Sequence, residues 1–507
     1  MKIDEIFKLN INEKREQIIW RFFEILPGFL SWSTIILSVL LSFIKPVWVA
    51  IFIICFDVYW FIKAIYLAMN LLSSYKHLNL NIKRDWLEIV KEKNGWDDYY
   101  HLVILPTFKE GIEIINPTFE ALKNCNYPND KIIVVFAGEE RDRERAIKNA
   151  KIIEEKYGHI FYKFMVTIHP DDITGEIAGK GSNETWAARQ ATKFIDERNI
   201  PYEKIILSVL DIDTCVHKEY FGILTQKFMT VKNPHQVSYQ PIPMFYNNIW
   251  DSPILMRLVA MNTTFWMMME QSKPEKLVTF SSHSMSFKTL VDIGFWDTDV
   301  VSEDAHIFWQ CFMHYNGEYR VEPLLTPVYM DTVLADTYKQ SIINQYKQQR
   351  RWAYGVEDVP YIFLNFFRNN NIKITKKLKF GFWSLEGYHS WATNALIIFL
   401  LGWLPLLLGG DQFTKTLLAQ SLPVVTQILM TIAMLGMIIS ATVNVLIMPD
   451  RPDGKKGKKI SSILIQWLFL PITTILLGSI PAYESQTRLM LGKYMGFWVT
   501  EKVRKKK

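Results

Sequence analysis

The sequence predicts an α/β domain with a largely parallel sheet and helices on both faces, bracketed by α-helical transmembrane segments. Two observations predict it. Residues 29–72 and 392–482 are nearly free of charge, although 21% of the 507 residues are Asp, Glu, Lys or Arg. Between them, short continuous apolar runs alternate with charged amphipathic stretches, the pattern of strands buried on both faces and the helices that cover them.

The membrane part comes first in the chain. Residues 29–44 and 47–72 form two apolar runs joined by Lys45-Pro46, and 392–408 and 422–448 form two more. Each approaches the ~20 residues a helix needs to cross a bilayer. The segment 461–482 is long enough to cross, but Pro471 and Pro481 interrupt it, so a broken or re-entrant helix is expected there. Basic residues then set the orientation. Lys2, Lys8, Lys14, Arg15 and Arg21 precede the first run. Lys76, Lys83 and Arg84 follow the second, and Arg451, Lys455, Lys456, Lys458 and Lys459 follow the fourth. The opposite loops offer only Lys45 and Lys415, so the N-terminus and middle domain are expected in the cytoplasm. Asp57 lies inside the second run and needs a partner, for which Asn394 and Asn444 are the expected candidates.

The net charge of +6 does not point to nucleic acid, because the basic residues cluster beside the apolar runs, where topology and anionic lipid headgroups account for them. The four cysteines, Cys55, Cys125, Cys215 and Cys311, are scattered, which excludes a disulfide scaffold or a zinc ribbon. No cleavable signal is evident, and the first apolar run is expected to stay as an anchor.

In the middle domain the apolar runs 100–106, 131–136, 161–168 and 204–210 are expected strands, and 116–124, 141–157 and 182–198 expected helices. In such sheets ligands bind beyond the carboxyl ends of the strands, and the polar motifs fall there. Asp211-Ile212-Asp213 directly follows the fourth run, where two carboxylates can hold a divalent cation against a pyrophosphate. Such a pair also occurs as a turn or helix cap, and Asp297-Thr298-Asp299 is a second copy with no strand before it. Ser302-Glu303-Asp304 opens a helical stretch, either as a cap or as a general base for an acceptor hydroxyl. Gln348-Gln349-Arg350-Arg351-Trp352 ends a polar helix. Its arginines suit phosphate and its tryptophan suits a sugar face, while a basic helix lying on the membrane surface is the plainer reading. Gly179-Lys180-Gly181-Ser182-Asn183 starts a helix and can offer N–H groups and a cation to phosphate.

Taken in order, Pro106-Thr107-Phe108-Lys109-Glu110, Gly179-Lys180-Gly181-x-Asn183, Asp211-x-Asp213, Glu303-Asp304 and Gln348-x-x-Arg351-Trp352 resemble the family 2 inverting glycosyltransferases of GT-A fold. The likeness is to their membrane-integrated branch of cellulose, chitin and hyaluronan synthases. It covers about residues 99–355 and the plan of helices before and after.

The resemblance implies that Asp213, with Asp211, ligates Mg²⁺ or Mn²⁺ on the diphosphate of a nucleotide-sugar donor. Asp304 would be the catalytic base, with Glu303 beside it. Gln348 and Arg351 would contact the pyrophosphate, Trp352 the acceptor sugar, Thr107 and Glu110 the nucleoside, and Lys180 the phosphates. Many relatives place an Asp after the second strand. Here the run is Phe136-Ala137-Gly138-Glu139-Glu140-Arg141, with Glu139 or Glu140 as the substitute.

The expected organisation is a cytoplasmic segment at 1–28, two transmembrane helices at 29–76 and a cytoplasmic GT-A domain at 85–355. An interfacial helical region at 356–391, transmembrane helices at 392–483 and a basic cytoplasmic tail at 484–507 follow. The expected function is that of a multi-pass enzyme of the cell membrane adding sugars to a growing glycan. Single addition to a lipid-linked acceptor is the alternative. A non-catalytic sugar-binding subunit would have lost one of Asp213, Asp304 or Trp352, and all three are present.

Overall fold

The computed structural model describes residues 14–451 and 456–504, except for the side chains of 456–459. The basic residues at 2, 8, 455, 456, 458, 459 and 505–507 that entered the topology reading lie outside these or have undescribed side chains.

Eight strands form one sheet: β1 (Tyr100–Pro106), β2 (Ile132–Glu139), β3 (Lys163–His169), β4 (Ile205–Val209), β5 (Cys215–Val216), β6 (Val237–Met244), β7 (His283–Ser286) and β8 (Arg320–Tyr329). Their order is β3-β2-β1-β4-β7-β6-β8-β5. The β3-β2-β1-β4 half is parallel throughout, as expected. The other half is mixed, because β7 runs antiparallel to both β4 and β6 while β8 runs parallel to β6. The sheet is therefore half parallel, less so than the sequence pattern predicts. Successive residues of a strand point to opposite faces. Leu102, Ile104, Ile133, Val135 and Leu207 enter one core, whereas Val103, Leu105, Ile132, Val134, Phe136 and Ile206 enter the other. Each such side chain contributes about 1.5–3 kcal/mol when fully buried, which is why the runs are continuously apolar.

Helices that matter to the site are numbered here in chain order. They are α1 (Lys14–Ile44), α2 (Pro46–Asn81), α3 (Arg143–Tyr157), α4 (Lys180–Glu197), α5 (Ile254–Gln271), α6 (Glu303–His314), α7 (Tyr338–Ala353), α8 (Asp358–Arg368), α9 (Leu417–Ile447) and α10 (Ile480–Met490). On α3 the buried residues Ala146, Asn149, Ala150, Ile153 and Tyr157 recur three or four apart, so one stripe packs and the charged remainder faces water.

Among the described residues, α1, α2 and α9 are long and apolar enough to cross a membrane. Two bent pairs raise the number to five if each is one span: Ile374–Phe399 with Leu401–Leu408, bent by 51°, and Ile460–Trp467 with Leu470–Met490, bent by 58°. The first helix is longer than the apolar run, because it begins at Lys14 and passes through Pro27. Asp57 accepts a 2.8 Å hydrogen bond from Thr426 on α9, not from Asn394 or Asn444. Asn444 lies eighteen residues beyond Thr426, roughly 27 Å along a helix, which puts it out of reach.

Candidate functional site

Three strand ends open one crevice where the strand order reverses between β1 and β4. Thr107 follows β1, Glu139 ends β2, and Asp211 and Asp213 follow β4. At the first, the Thr107 hydroxyl and the Phe108 N–H both donate to Glu110 Oε2, at 2.9 and 2.7 Å. Burial pushes the Glu110 carboxyl up to about 7, against the pull of Lys502. At the second, buried Glu139 accepts from Arg141 Nε at 2.9 Å, and the Arg141 guanidinium lies 4.4 Å from the Phe108 ring centre.

Lys180 is the hub of the crevice floor. Its Nζ lies 2.8 Å from Asp211, 3.4 Å from Glu303 and 3.5 Å from Glu184. Burial alone would lower its pKa, but the facing carboxylates outweigh that and hold it well above the usual value. Burial pushes the Glu303 carboxyl up to about 7, opposed by Lys180 and reinforced by Asp304. Gly179 has an ordinary extended backbone. A Cβ there would come within 2.7 Å of the Phe497 ring, and one at Gly181 within 3.0 Å of Glu303 Cβ. These glycines make room for neighbours.

Ser281, which the sequence reading passed over, joins the two acidic motifs. Its hydroxyl donates to Asp211 Oδ2 at 2.8 Å and its N–H to Asp304 Oδ2 at 2.8 Å. Its φ is +49°, a strained conformation that aims both donors into the crevice. Asp304 stands at the start of α6, partly exposed, and also accepts from the Ala305 N–H at 2.9 Å. The second acidic pair has another job: Asp297 accepts from His306 at 3.1 Å, and Asp358 faces the other ring nitrogen at 2.6 Å.

The helix α7 carries Gln348, Arg351 and Trp352 to the rim. The indole of Trp352 meets Phe280 edge-on at 5.6 Å and Phe245 at 6.4 Å. Arg351 and Gln348 face the C-terminal tail, which sequence reasoning left outside the site. After α10 the chain returns across the crevice. Arg351 lies 4.7 Å from the Phe497 ring centre, Gln348 donates to Thr500 at 3.4 Å, and Asn344 donates to Glu501 at 3.3 Å. Lys502 Nζ then sits 2.6 Å from Asp213 Oδ1, and Arg504 forms a two-pronged pair with Asp331 at 2.6 and 2.9 Å. Asp331 follows β8 and donates its N–H to Asp213 Oδ2 at 2.8 Å. Asp213 has no exposed surface, and burial raises its pKa despite Lys502. The expected site residues thus lie at the ends of β1, β2 and β4 and on α4, α6 and α7, and Ser281, Glu184, Asp331, Lys502 and Arg504 contact the acidic ones among them. In the sequence the tail was legible only as a basic segment at 484–507.

The model for glycosyl transferase family group 2 matches residues 206–477, more than half of the chain. The chain belongs to this family. The protein is therefore a glycosyltransferase, and its sheet and flanking helices are a GT-A fold. No curated protein matches its sequence. Among solved structures it is similar to the mannosyltransferase PcManGT from Pyrobaculum calidifontis in complex with GDP-Man and Mn²⁺. The identity is 14% and the TM-score 0.37, over 82% of this chain and 99% of that one. It is also similar to residues 1–349 of S. aureus TarS, at 12% identity and TM-score 0.34 over 78% and 92% of the two chains. Superpositions this loose carry no correspondence of individual residues.

Proposed function

We propose that the glycosyltransferase moves a sugar, with inversion, from a nucleotide-diphosphate donor to a growing glycan, as the membrane-integrated polysaccharide synthases do. The single observation that supports this most is Ser281, which holds Asp211 and Asp304 on adjacent donors. The carboxylates that would meet the donor diphosphate thereby stand beside the one that would meet the acceptor hydroxyl. Asp304 takes the hydroxyl proton as the acceptor oxygen attacks the anomeric carbon, and the bond to the diphosphate oxygen breaks on the opposite side. Arg351 and Lys180 stabilise the charge that builds on the departing nucleoside diphosphate. Thr107, Glu110 and Glu139 border the nucleoside, Gln348 the pyrophosphate, and Trp352 offers its face to the acceptor sugar.

Mg²⁺ or Mn²⁺ fits at Asp213 and Asp211. Among the described residues no group of three or more acidic, His or Cys side chains forms a ready-made metal cage. Magnesium commonly takes one or two carboxylates and completes its shell with phosphate and water. The Lys502 ammonium, 2.6 Å from Asp213 Oδ1, occupies the same carboxylate as a cation would, which supports this reading. When bound, the metal would supply charge neutralisation of the diphosphate.

The catalytic domain is assigned to the cytoplasmic side of the cell membrane from the lysine and arginine asymmetry of the loops. Replacing Asp304→Asn is expected to cut transfer by about 10²–10⁴-fold while nucleotide-sugar binding persists. Unchanged turnover would remove Asp304 as the base. A panel of nucleotide sugars scored by nucleoside diphosphate release identifies the donor. A product ladder supports chain extension, whereas one added sugar supports single transfer to a lipid-linked acceptor.

A further inference from the structure

Arg257, near the start of α5, is buried, with 6% of its surface exposed. No described carboxylate lies within ion-pairing distance of it, and its Nε is buried without an acceptor. Among the described residues its guanidinium packs on the Trp250 ring, whose centre lies 5.6 Å from the guanidinium carbon. A second arginine, Arg451, reaches the same ring at 4.7 Å. Arg451 donates to Ser462 at 3.1 Å, yet its Nε too is buried without an acceptor, and no described carboxylate pairs with it.

Two like charges gathered on one indole repel each other, and burial together with Arg451 lowers the pKa of Arg257. A guanidinium does not shed its proton in a protein, so it cannot relieve this by becoming neutral. An aromatic face offsets only a small part of the cost of burying an unpaired cation. An anion would supply the acceptor that the two buried Nε groups lack.

Position says which anion. Arg451 lies just beyond the end of α9, one of the helices long enough to cross a membrane. Trp250 packs against the buried cluster of Phe245, Ile249, Ala260, Met330, Met448 and Ile463, and Trp352 packs against the same cluster. The two arginines thus stand where membrane helices meet the catalytic domain, one cluster away from the proposed acceptor platform. We infer that Arg257 and Arg451, with Trp250 between them in the chain's packing, bind the phosphate of a membrane lipid. Phosphate matches the guanidinium fork, and the lipid's chains would lie along the apolar helices.

Binding is tested on the full chain in detergent without any nucleotide sugar, so the outcome is independent of the transfer chemistry. Radiolabelled farnesyl phosphate is the probe, with phosphatidylglycerol and inorganic phosphate as competitors. Wild type should bind it, and Arg257→Gln and Arg451→Gln should each weaken binding at least tenfold. Competition by phosphatidylglycerol at equal concentration assigns the site to headgroups in general, and its failure assigns it to isoprenoid-type phosphates. Displacement by millimolar inorganic phosphate overturns the lipid assignment in favour of a free anion.

Thermal melting adds a second reading. Without an anion, Arg257→Gln should melt no lower than wild type, since it removes an uncompensated charge. Farnesyl phosphate should raise the midpoint of wild type alone. No binding by wild type, or equal binding by both variants, overturns the site. If Arg257→Gln does not fold, the less buried Arg451→Gln decides by itself.

Discussion

The proposed catalytic crevice and the edge where it meets the long apolar helices both gather basic side chains, and they treat that charge in different ways. In the crevice three cations have carboxylates in contact: Lys180 faces Asp211, Glu303 and Glu184, Lys502 faces Asp213, and Arg504 faces Asp331, while Arg351 packs on the Phe497 ring. Beyond the end of α9, Arg257 and Arg451 pack on one indole, that of Trp250. The difference is one of chain topology. The tail after α10 is free to bring lysine and arginine to carboxylates laid down by strand ends. Arg257 is fixed in the first turns of a packed helix, and no described carboxylate is in ion-pairing contact with it. In the first region Lys180, Lys502 and Arg504 are neutralised from within, and the proposed second site takes its counter-ion from outside.

The comparison breaks most severely at Asp213. It is the shared partner of Lys502 and of the proposed divalent cation, so Asp213→Asn is expected to reduce transfer by about 10³-fold. The same change should free the tail. Limited proteolysis at residues 491–504 should then run faster than in wild type. Retained activity with a loosened tail would show that the cation is held elsewhere.

A more moderate effect is expected for Lys502→Ala. Its ammonium and a divalent cation compete for one carboxylate oxygen. Removing it should tighten Mn²⁺ binding to the donor-free enzyme about tenfold, the equivalent of about 1.4 kcal/mol, as read by titration calorimetry. Weaker Mn²⁺ binding would instead mean that Lys502 keeps Asp213 and Asp331 in position.

Much of this was legible in the sequence, for reasons specific to each part. The strands β1 to β4 announced themselves because burial on both faces demands unbroken apolar runs, and the acidic pair at Asp211 was placed by the strand before it. The strands β6 and β8 did not, because Pro241, Pro243, Pro323 and Pro327 interrupt their patterns, and a bulge between Gln240 and Ile242 absorbs the mismatch. Ser281 was invisible because its value lies in a positive φ and two hydrogen bonds, neither of which has a composition signal. Lys502 and Arg504 read as part of a basic tail, since nothing local says that the chain doubles back nearly 300 residues in sequence to reach Asp213. The arginine pair was hidden in the same way, since Arg257 and Arg451 are 194 residues apart in sequence.

Glu357 sharpens the comparison from the acidic side, with the smallest effect. Like Arg257 it is buried, and its carboxylate accepts from the Val301 and Ser302 N–H groups at 2.8 and 3.1 Å just ahead of α6. Burial, then the neighbouring Asp358, push its pKa up to about 8, against these hydrogen bonds and His306. An acid in this position has an escape that a guanidinium lacks, because it can hold a proton and stay neutral. The folded chain keeps that proton up to about pH 8, whereas the unfolded chain releases it near the ordinary value of 4.5. Over that window the folded state binds more protons, so this group's contribution to stability falls as pH rises and then levels off. Glu357→Gln still accepts through its amide oxygen but cannot ionise. It should melt with wild type near pH 4.5 and a few degrees above it at pH 8. A variant that melts lower at both pH values would show that the carboxyl's hydrogen bonds matter more than its charge.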